Sequence, residues 1–325
     1  MIEPVIVAAR EKGELGVFNP TACEDGHGQL QVVYRSAGID RLTRLARSVG
    51  VGGRYERQAA PVLRVATGDP ALDSFVAAAL ANSEEDPRFV RLPGEESWFM
   101  TIVGLRLLPY TPGQKAITVL AQVSPDFAHL DVTRLLTPAE FDDRHVIPLP
   151  ERVGGAYALL TRPQMPGVLS YVDYYTGGPS SVYLSLTPDL AHRPGDRPLL
   201  SPRQPWEARR IGGVGPQPAL TGRGWLVIYM AIDLENRYSV GAALLDSETL
   251  AVTARTPLPL LTPDEAFNRR FPVIDFGLSN VIFATTALVD EAKDAVTFLV
   301  GCNDIAVGRV IIPLSEILAQ MDAVG

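Results

Sequence analysis

Residues 82–100 read NSEEDPRFVRLPGEESWFM. Glu84, Glu85 and Asp86 run straight into Pro87 and Arg88, ahead of an apolar, aromatic stretch broken by one turn. Carboxylates crowded against a guanidinium suit acid–base chemistry and the binding of polar ligands, because each charge shifts the proton affinity of its neighbours. Asn19 of FNPTA, Arg144 and His145 of DDRHVIPLP, the GGVGPQP loop (212–218) and FGLSNVIF (276–283) are comparable polar or glycine-rich stretches beside strand-like runs. An Asp before proline is also an ordinary turn former, so the EDPR group does chemistry only if the fold aims it.

The frame that would aim it is a β protein. The chain has 325 residues, 46% hydrophobic and 20% charged, the balance of a globular protein. Its 27 prolines and 28 glycines are dispersed, with short β-branched and aromatic runs between them. Strands are expected at 29–35, 97–108, 115–123, 156–162, 181–186, 224–232, 238–246, 280–290 and 295–302. Helical periodicity appears at 70–85 and at 313–324, where Leu314, Ile317, Leu318 and Met321 mark one face.

The strands recur in units. SPDFAHL (124–130) and TPDLAHR (187–193) each follow an apolar strand, and LDSETLAV (245–252) follows another in a similar way. A unit of two to three strands at a spacing of ~60 residues marks a repeat architecture, and a chain of this length holds roughly five. Small antiparallel sheets that cannot bury both faces alone pack radially as a β-propeller. The expectation is therefore an all-β, five-bladed β-propeller with a short C-terminal helix, formed as one domain over 1–325. The alternative is a β-sandwich with coincidentally similar turns. In a propeller, polar residues just before the innermost strands converge on the central channel.

Other chemistries find little support. A net charge of −8 disfavours nucleic acid and anionic membranes as partners. The N-terminus does not read as a signal peptide, and the longest apolar runs are too short to span a bilayer, so the cytoplasm is the expected location. Cys23 and Cys302 make no disulfide framework, although a bridge between them stays open. Four scattered histidines give no metal-ligand spacing, and His129 and His192 occupy equivalent repeat positions with a structural role. GGVGPQP is not followed by a helix, so it is no dinucleotide fingerprint, and no GxSxG elbow is present. Trp98, Trp206 and Trp225 are candidates for stacking on sugars, or for the core.

FNPTACEDGHGQLQVVYR, EEDPRFV, PERVGGAYALLTRP, RRIGGVGPQPALTGRGWLVIY, YSVGAALLD and SNVIFATTALVD, in this order, resemble glycoside hydrolase family 130, whose members are phosphorylases and hydrolases of β-mannosides on a five-bladed propeller. The resemblance runs from about residue 17 to the last blade. It implies that Asp86 is the catalytic acid, protonating the leaving oxygen through a hydroxyl of the bound sugar while phosphate inverts the anomeric carbon. It places Asn19, Arg35, Arg88 and Asp304 at the substrate, and Arg144, Arg162 and His145 at phosphate. Arg35 and Arg162 have an alternative reading as ion pairs between blades. No cofactor or metal is expected; inorganic phosphate enters as co-substrate beside an oligosaccharide. Composition sets no oligomeric state, and a homo-oligomer is compatible with it.

The sequence also departs from the family pattern. Asp143-Arg144-His145 stands where the phosphorylases carry Asn-Lys-Asp, Tyr229-Met230-Ala231 where they carry Tyr-His-Gly, and Leu299-Val300-Gly301 where they carry Tyr-Tyr-Gly. Methionine cannot donate to phosphate. Phosphorolysis is therefore expected from a rebuilt phosphate site. Inverting hydrolysis is the alternative and needs a carboxylate base opposite Asp86, for which Glu207, Asp233 and Asp275 are the candidates; Glu207 has a simpler reading as a surface partner of Arg209 or Arg210. A non-catalytic propeller binding sugar or protein is the third reading. Glu84 and Glu85 are expected to be helix-end or loop-solvating charges.

Overall fold

The computed structural model describes residues 1–109, 111–138, 141–164, 180–190 and 196–324. Five antiparallel sheets follow one another along the chain as the blades of a propeller. Blade I comprises Glu14–Glu24, Leu30–Gly38, Thr43–Val51 and Arg54–Gln58. Blade II comprises Glu84–Val90, Phe99–Leu105, Ala116–Val123 and His129–Leu135, with Val62–Val65 added in parallel outside. Blade III is built from Asp142–Val153, Ala156–Gln164, Val182–Thr187 and Asp196–Leu200. Blade IV runs from Arg210–Val214 through Gly224–Ile232 and Tyr238–Leu245 to Val252–Arg255. In blade V, Ile282–Asp290, Ala295–Cys302 and Ala306–Ile312 are joined at the outer edge by Glu3–Val7 from the N-terminus, which closes the ring.

The first strand of each blade lies innermost, where neighbouring blades meet. The core is correspondingly divided into apolar clusters between adjacent sheets, such as Val146, Leu159, Val182, Val227 and Leu245 between blades III and IV. The strands expected at 29–35 through 295–302 all appear, shifted at their ends by a few residues. Those expectations included the innermost strand of blade V, at 280–290, and omitted the other four, whose pattern is broken. Each innermost strand carries a register shift: at Phe18/Thr21, Glu85/Arg88, Arg144/Ile147, Ile211/Gly213 and Ala284/Thr286. These are β-bulges, which bend a strand and re-aim a side chain.

The helix expected at 70–85 spans Pro70–Asn82, with the Asp69 carboxylate accepting from the Ala71 and Leu72 amides at 2.9 and 3.3 Å. It stops short of Glu84 and Glu85, which open the innermost strand of blade II instead. The C-terminal helix is shorter than expected, Leu314–Ala319, because Asp322–Ala323 pairs with Val252–Arg255 as an extra strand of blade IV. A third helix, Glu265–Arg270, buries Phe267. Cys23 and Cys302 are both free and buried, so no bridge joins them, and His192 lies outside the described residues. No helix among the described residues is long and apolar enough to cross a membrane.

The closing strand predicts where stability is concentrated. Ile6 is buried against Val17, Val32 and Val307. Ile6→Ala should cost about 2–5 kcal/mol, read as a lower urea midpoint at unchanged slope. Ile39→Ala, at an exposed position, should shift stability by less than about 0.5 kcal/mol.

Candidate active site

Three of the bulges place a non-glycine residue in left-handed backbone: Asn19 at φ 47°, Asp86 at 46° and His145 at 62°. Asn, Asp and His are the side chains that tolerate this region best. The equivalent residue of blade IV is Gly213, at φ 121°. A Cβ there would collide with Nδ1 of His145, so glycine is required both by the backbone and by the neighbour.

The bulges bring these side chains together on Asp86. Its Oδ1 accepts from Nδ2 of Asn19 at 2.8 Å and from a guanidinium nitrogen of Arg35 at 2.8 Å. Its Oδ2 lies 2.7 Å from Nε2 of His145. Burial alone would raise the Asp86 proton affinity, but Arg35, the His145 hydrogen bond and the charge of Arg88 outweigh it and hold the carboxyl well below the usual range. Burial, then the charge of Arg88, pushes His145 well below its usual value against the pull of Asp86. His145 is therefore a neutral imidazole donating from Nε2, which leaves its buried Nδ1 as an acceptor with no donor among the described residues.

Glu85, one residue before the bulge, points to the same cavity. It is buried, and its two oxygens bridge Arg35 at 2.9 Å and Arg144 at 3.0 Å. The expectation of a loop-solvating charge is thus corrected: Glu85 and Arg144 occupy the same position in adjacent blades and face each other across the boundary. Glu84 likewise is no free surface charge, since its carboxylate accepts from the Leu45 amide of blade I at 2.8 Å.

Arg88 sits below the cavity rather than in its wall. It is fully buried and donates to the carbonyls of Gly215 at 2.6 Å, Val214 at 3.4 Å and Asp86 itself at 2.7 Å. It is a strut between blades II and IV, and touches the Asp86 backbone rather than its carboxylate. Burial and Arg35 push its pKa down to about 10, which leaves it charged at neutral pH.

Asp304 reaches the cavity from blade V on a turn in which Asn303 and Asp304 both have positive φ, 50° and 58°. The Asn303 side chain secures the turn by bonding the Val281 amide at 2.9 Å and the Phe271 carbonyl at 2.7 Å. Gly277 packs so closely on the Asn303 carbonyl that a Cβ would overlap it. Strain of this kind persists only where surrounding contacts enforce it. Burial raises the Asp304 pKa to about 6, with Arg35 opposing and Asp86 and Glu85 adding to the rise.

The cavity has a volume of about 360 Å³. Its acidic wall is Glu85, Asp86 and Asp304; Arg144, Arg162 and Arg210 form a cationic one. Burial, then the charges of Arg210 and Arg144, lowers the Arg162 pKa to about 9. Phe18, Phe276, Phe283 and Tyr238 supply apolar surface between them. Asn19, Arg35, Asp86, Arg144, His145, Arg162 and Asp304 are thus brought together as expected, whereas Glu85 and Arg210 were missed.

The family model described as beta-1,4-mannooligosaccharide phosphorylase matches residues 11–323. The chain belongs to glycoside hydrolase family 130. Within the family, a 1,2-beta-oligomannan phosphorylase of a Thermoanaerobacter species is 25% identical over 320 residues, 97% of this chain and 96% of its own length. A beta-1,2-mannobiose phosphorylase of Listeria innocua is 31% identical over 183 residues, 56% of this chain; that match spans about half of the relative, 47%. A solved structure of beta-1,2-mannobiose phosphorylase from Listeria innocua, in complex with beta-1,2-mannobiose, superposes with a TM-score of 0.70 at 21% identity, over 98% of this chain and 96% of the other.

The family-130 frame gives the sequence departures a physical setting. Met230 is fully buried in the apolar cluster between blades IV and V and does not line the cavity. Leu299 and Val300 are also core residues. None of the proposed bases lines the cavity either. Glu207 is fully buried, bonded to Tyr229 at 2.7 Å and Arg255 at 2.8 Å, so it is not a surface partner of Arg209 or Arg210. Asp233 pairs with Arg237 at 2.6 Å, and exposed Asp275 with Arg10 at 2.8 Å. Trp225 is core, Trp206 stacks on Tyr229, and Trp98 lies under Arg91; none lines the cavity.

The raised Asp304 predicts a pH signature. A folded pKa of about 6 against roughly 4 unfolded means that Asp304 favours the fold fully below pH ~4 and loses that contribution as pH rises through 6. Asp304→Asn should therefore be more stable relative to the parent at pH 7.5 than at pH 4.5, measured by thermal denaturation at both values. An equal difference at the two pH values contradicts the raised pKa.

Proposed function

We propose that this chain cleaves a β-mannoside by inverting phosphorolysis, releasing mannose 1-phosphate. The observation that carries this reading is the wall of three arginines, Arg144, Arg162 and Arg210, that lines the same cavity as the Asp86 cluster and adjoins it at the Arg144–Glu85 ion pair. Guanidinium groups gathered in one cavity repel one another; burial first, and then the charges of Arg210 and Arg144, lower the Arg162 pKa. A phosphate dianion relieves it, and guanidinium forks match its oxygens. Arg at positions 144 and 210 supplies charge that Met230 cannot.

In this reading the mannosyl ring lies between the two walls. Asn19, Arg35 and Asp304 bind its hydroxyls, and Phe276 and Phe283 face its apolar surface. A phosphate oxygen forms the new bond to the anomeric carbon from the arginine side as the glycosidic bond breaks. The leaving oxygen takes a proton that Asp86, ionised in the free site, has first taken up from solvent, passed on directly or through a sugar hydroxyl. His145 serves Asp86 rather than phosphate. Hydrolysis is disfavoured because, among the described residues lining the cavity, the carboxylates are Glu85, Asp86 and Asp304: Glu85 is committed to Arg35 and Arg144, and Asp304, like Asp86, lies in the field of Arg35. The two buried free thiols fit a cytoplasmic location.

Product analysis by phosphorus and proton NMR on β-1,2- and β-1,4-mannosides tests the reaction. Sugar 1-phosphate should form only when inorganic phosphate is added; free sugar released equally fast without it means hydrolysis. Asp86→Asn should lower kcat by about 10²–10⁴-fold. Arg210→Met should raise KM for phosphate about 10–100-fold with a smaller effect on KM for the mannoside; equal effects on both place Arg210 outside the phosphate site.

A further inference from the structure

Four charged side chains form a continuous chain across the boundaries of blades I, II and III. Arg144 donates to Glu85 Oε2 at 3.0 Å, Arg35 donates to Glu85 Oε1 at 2.9 Å, and Arg35 donates through its other nitrogen to Asp86 Oδ1 at 2.8 Å. One end of this chain is a member of the arginine wall and the other is the catalytic carboxylate. Glu85 is buried, with Ser83 as its remaining side-chain partner at 3.2 Å, so its charge is committed to the two arginines.

We propose that Glu85 is a positioning residue that couples the anion site to Asp86, so that an anion binding at Arg144 loosens the hold of Arg35 on Asp86. The proposal rests on the reading of the arginine wall as a phosphate site. An anion draws Arg144 away from Glu85. Among the described residues, Glu85 then keeps Arg35 as its ion-pair partner and competes more strongly for it. Arg35 in turn neutralises Asp86 less, and Asp86 takes up a proton from solvent. The other groups facing Asp86 are Asn19, His145, Arg88 and Asp304; of these, none connects Asp86 by hydrogen bonds to Arg144. The acid would thus be loaded when its co-substrate is in place, and a mannoside alone would meet an ionised Asp86.

Calorimetric titration of the full chain with sulfate tests this, since sulfate mimics the phosphate dianion without titrating near neutral pH. Repeating the titration near pH 6 in buffers of different ionisation enthalpy counts protons taken up on binding. The parent should take up protons, Asp304→Asn should retain part of that uptake, and Asp86→Asn should retain less than Asp304→Asn. Glu85→Gln should bind sulfate about tenfold more tightly, within the range typical of coupled sites, while taking up fewer protons and showing a lower kcat with a lower KM for phosphate. The tightening should disappear in an Arg144→Gln background, where the chain is already cut. Glu85→Asp keeps the charge but is too short to span both arginines, and should lose the uptake as well; it serves if Glu85→Gln does not fold. Sulfate binding with uptake unchanged in both Glu85 variants, or tightening that persists without Arg144, overturns the coupling and leaves the phosphate site standing. Failure of the parent to bind either sulfate or inorganic phosphate overturns both.

Discussion

A carboxylate removed from water stays ionised only if donors come to it, and Asp86 receives them from the two blades flanking its own. Asn19 and Arg35 belong to blade I, and His145 to blade III. None of these contacts is local in sequence, so the site exists only when the ring is closed. The innermost strands are shaped to this end. Their bulges turn Asn19, Asp86 and His145 toward one point, and the missing side chain of Gly213 leaves room for the imidazole. Arg88 ties the strand that carries Asp86 to blade IV from beneath. Buried charges of this kind contribute to specificity of arrangement more surely than to net stability, because desolvation offsets most of the attraction.

The charges divide by wall. The acids are gathered around Arg35, whose proton affinity is raised by Glu85, Asp86 and Asp304 against the effect of burial. Arginines gathered on the other wall face one another. Asp304 and Asp86 share one cavity with proton affinities pushed in opposite directions, so in the free site Asp86 is the ionised carboxylate and Asp304 the more readily protonated one.

Much of the fold was legible because the second and third strands of each blade are plain apolar runs such as WLVIYMAI. The innermost strands of blades I and II were not, because a left-handed residue followed by proline in FNPT and EDPR breaks the alternation that reveals a strand. Those residues read as polar loops ahead of strands, whereas they are bulges within them. Asp86, Arg144 and His145 were recognisable as site residues from motif and order. Glu85 was not, because acids before a proline look like a solvated helix end. Aligning the bulges would have exposed it, since Glu85 and Arg144 each precede the left-handed residue of their blade. Arg210 was hidden as one of a basic pair, and the packing of blade IV against blade III brings it beside Arg162. The buried Glu207–Tyr229–Arg255 cluster had no signal, because its members are joined from separate strands and a short turn.

The most direct test of the account is the ionisation of Asp86 itself. Protein labelled with carbon-13 at aspartate carboxyls, compared by NMR with Asp86→Asn across an acid titration, isolates one resonance. The structure predicts that this resonance keeps the chemical shift of an ionised carboxylate through pH 4, where ordinary aspartates are already half protonated. A resonance that titrates at or above the ordinary aspartate value would mean that Asn19, Arg35 and His145 do not hold the anion, and the site as described here would be wrong.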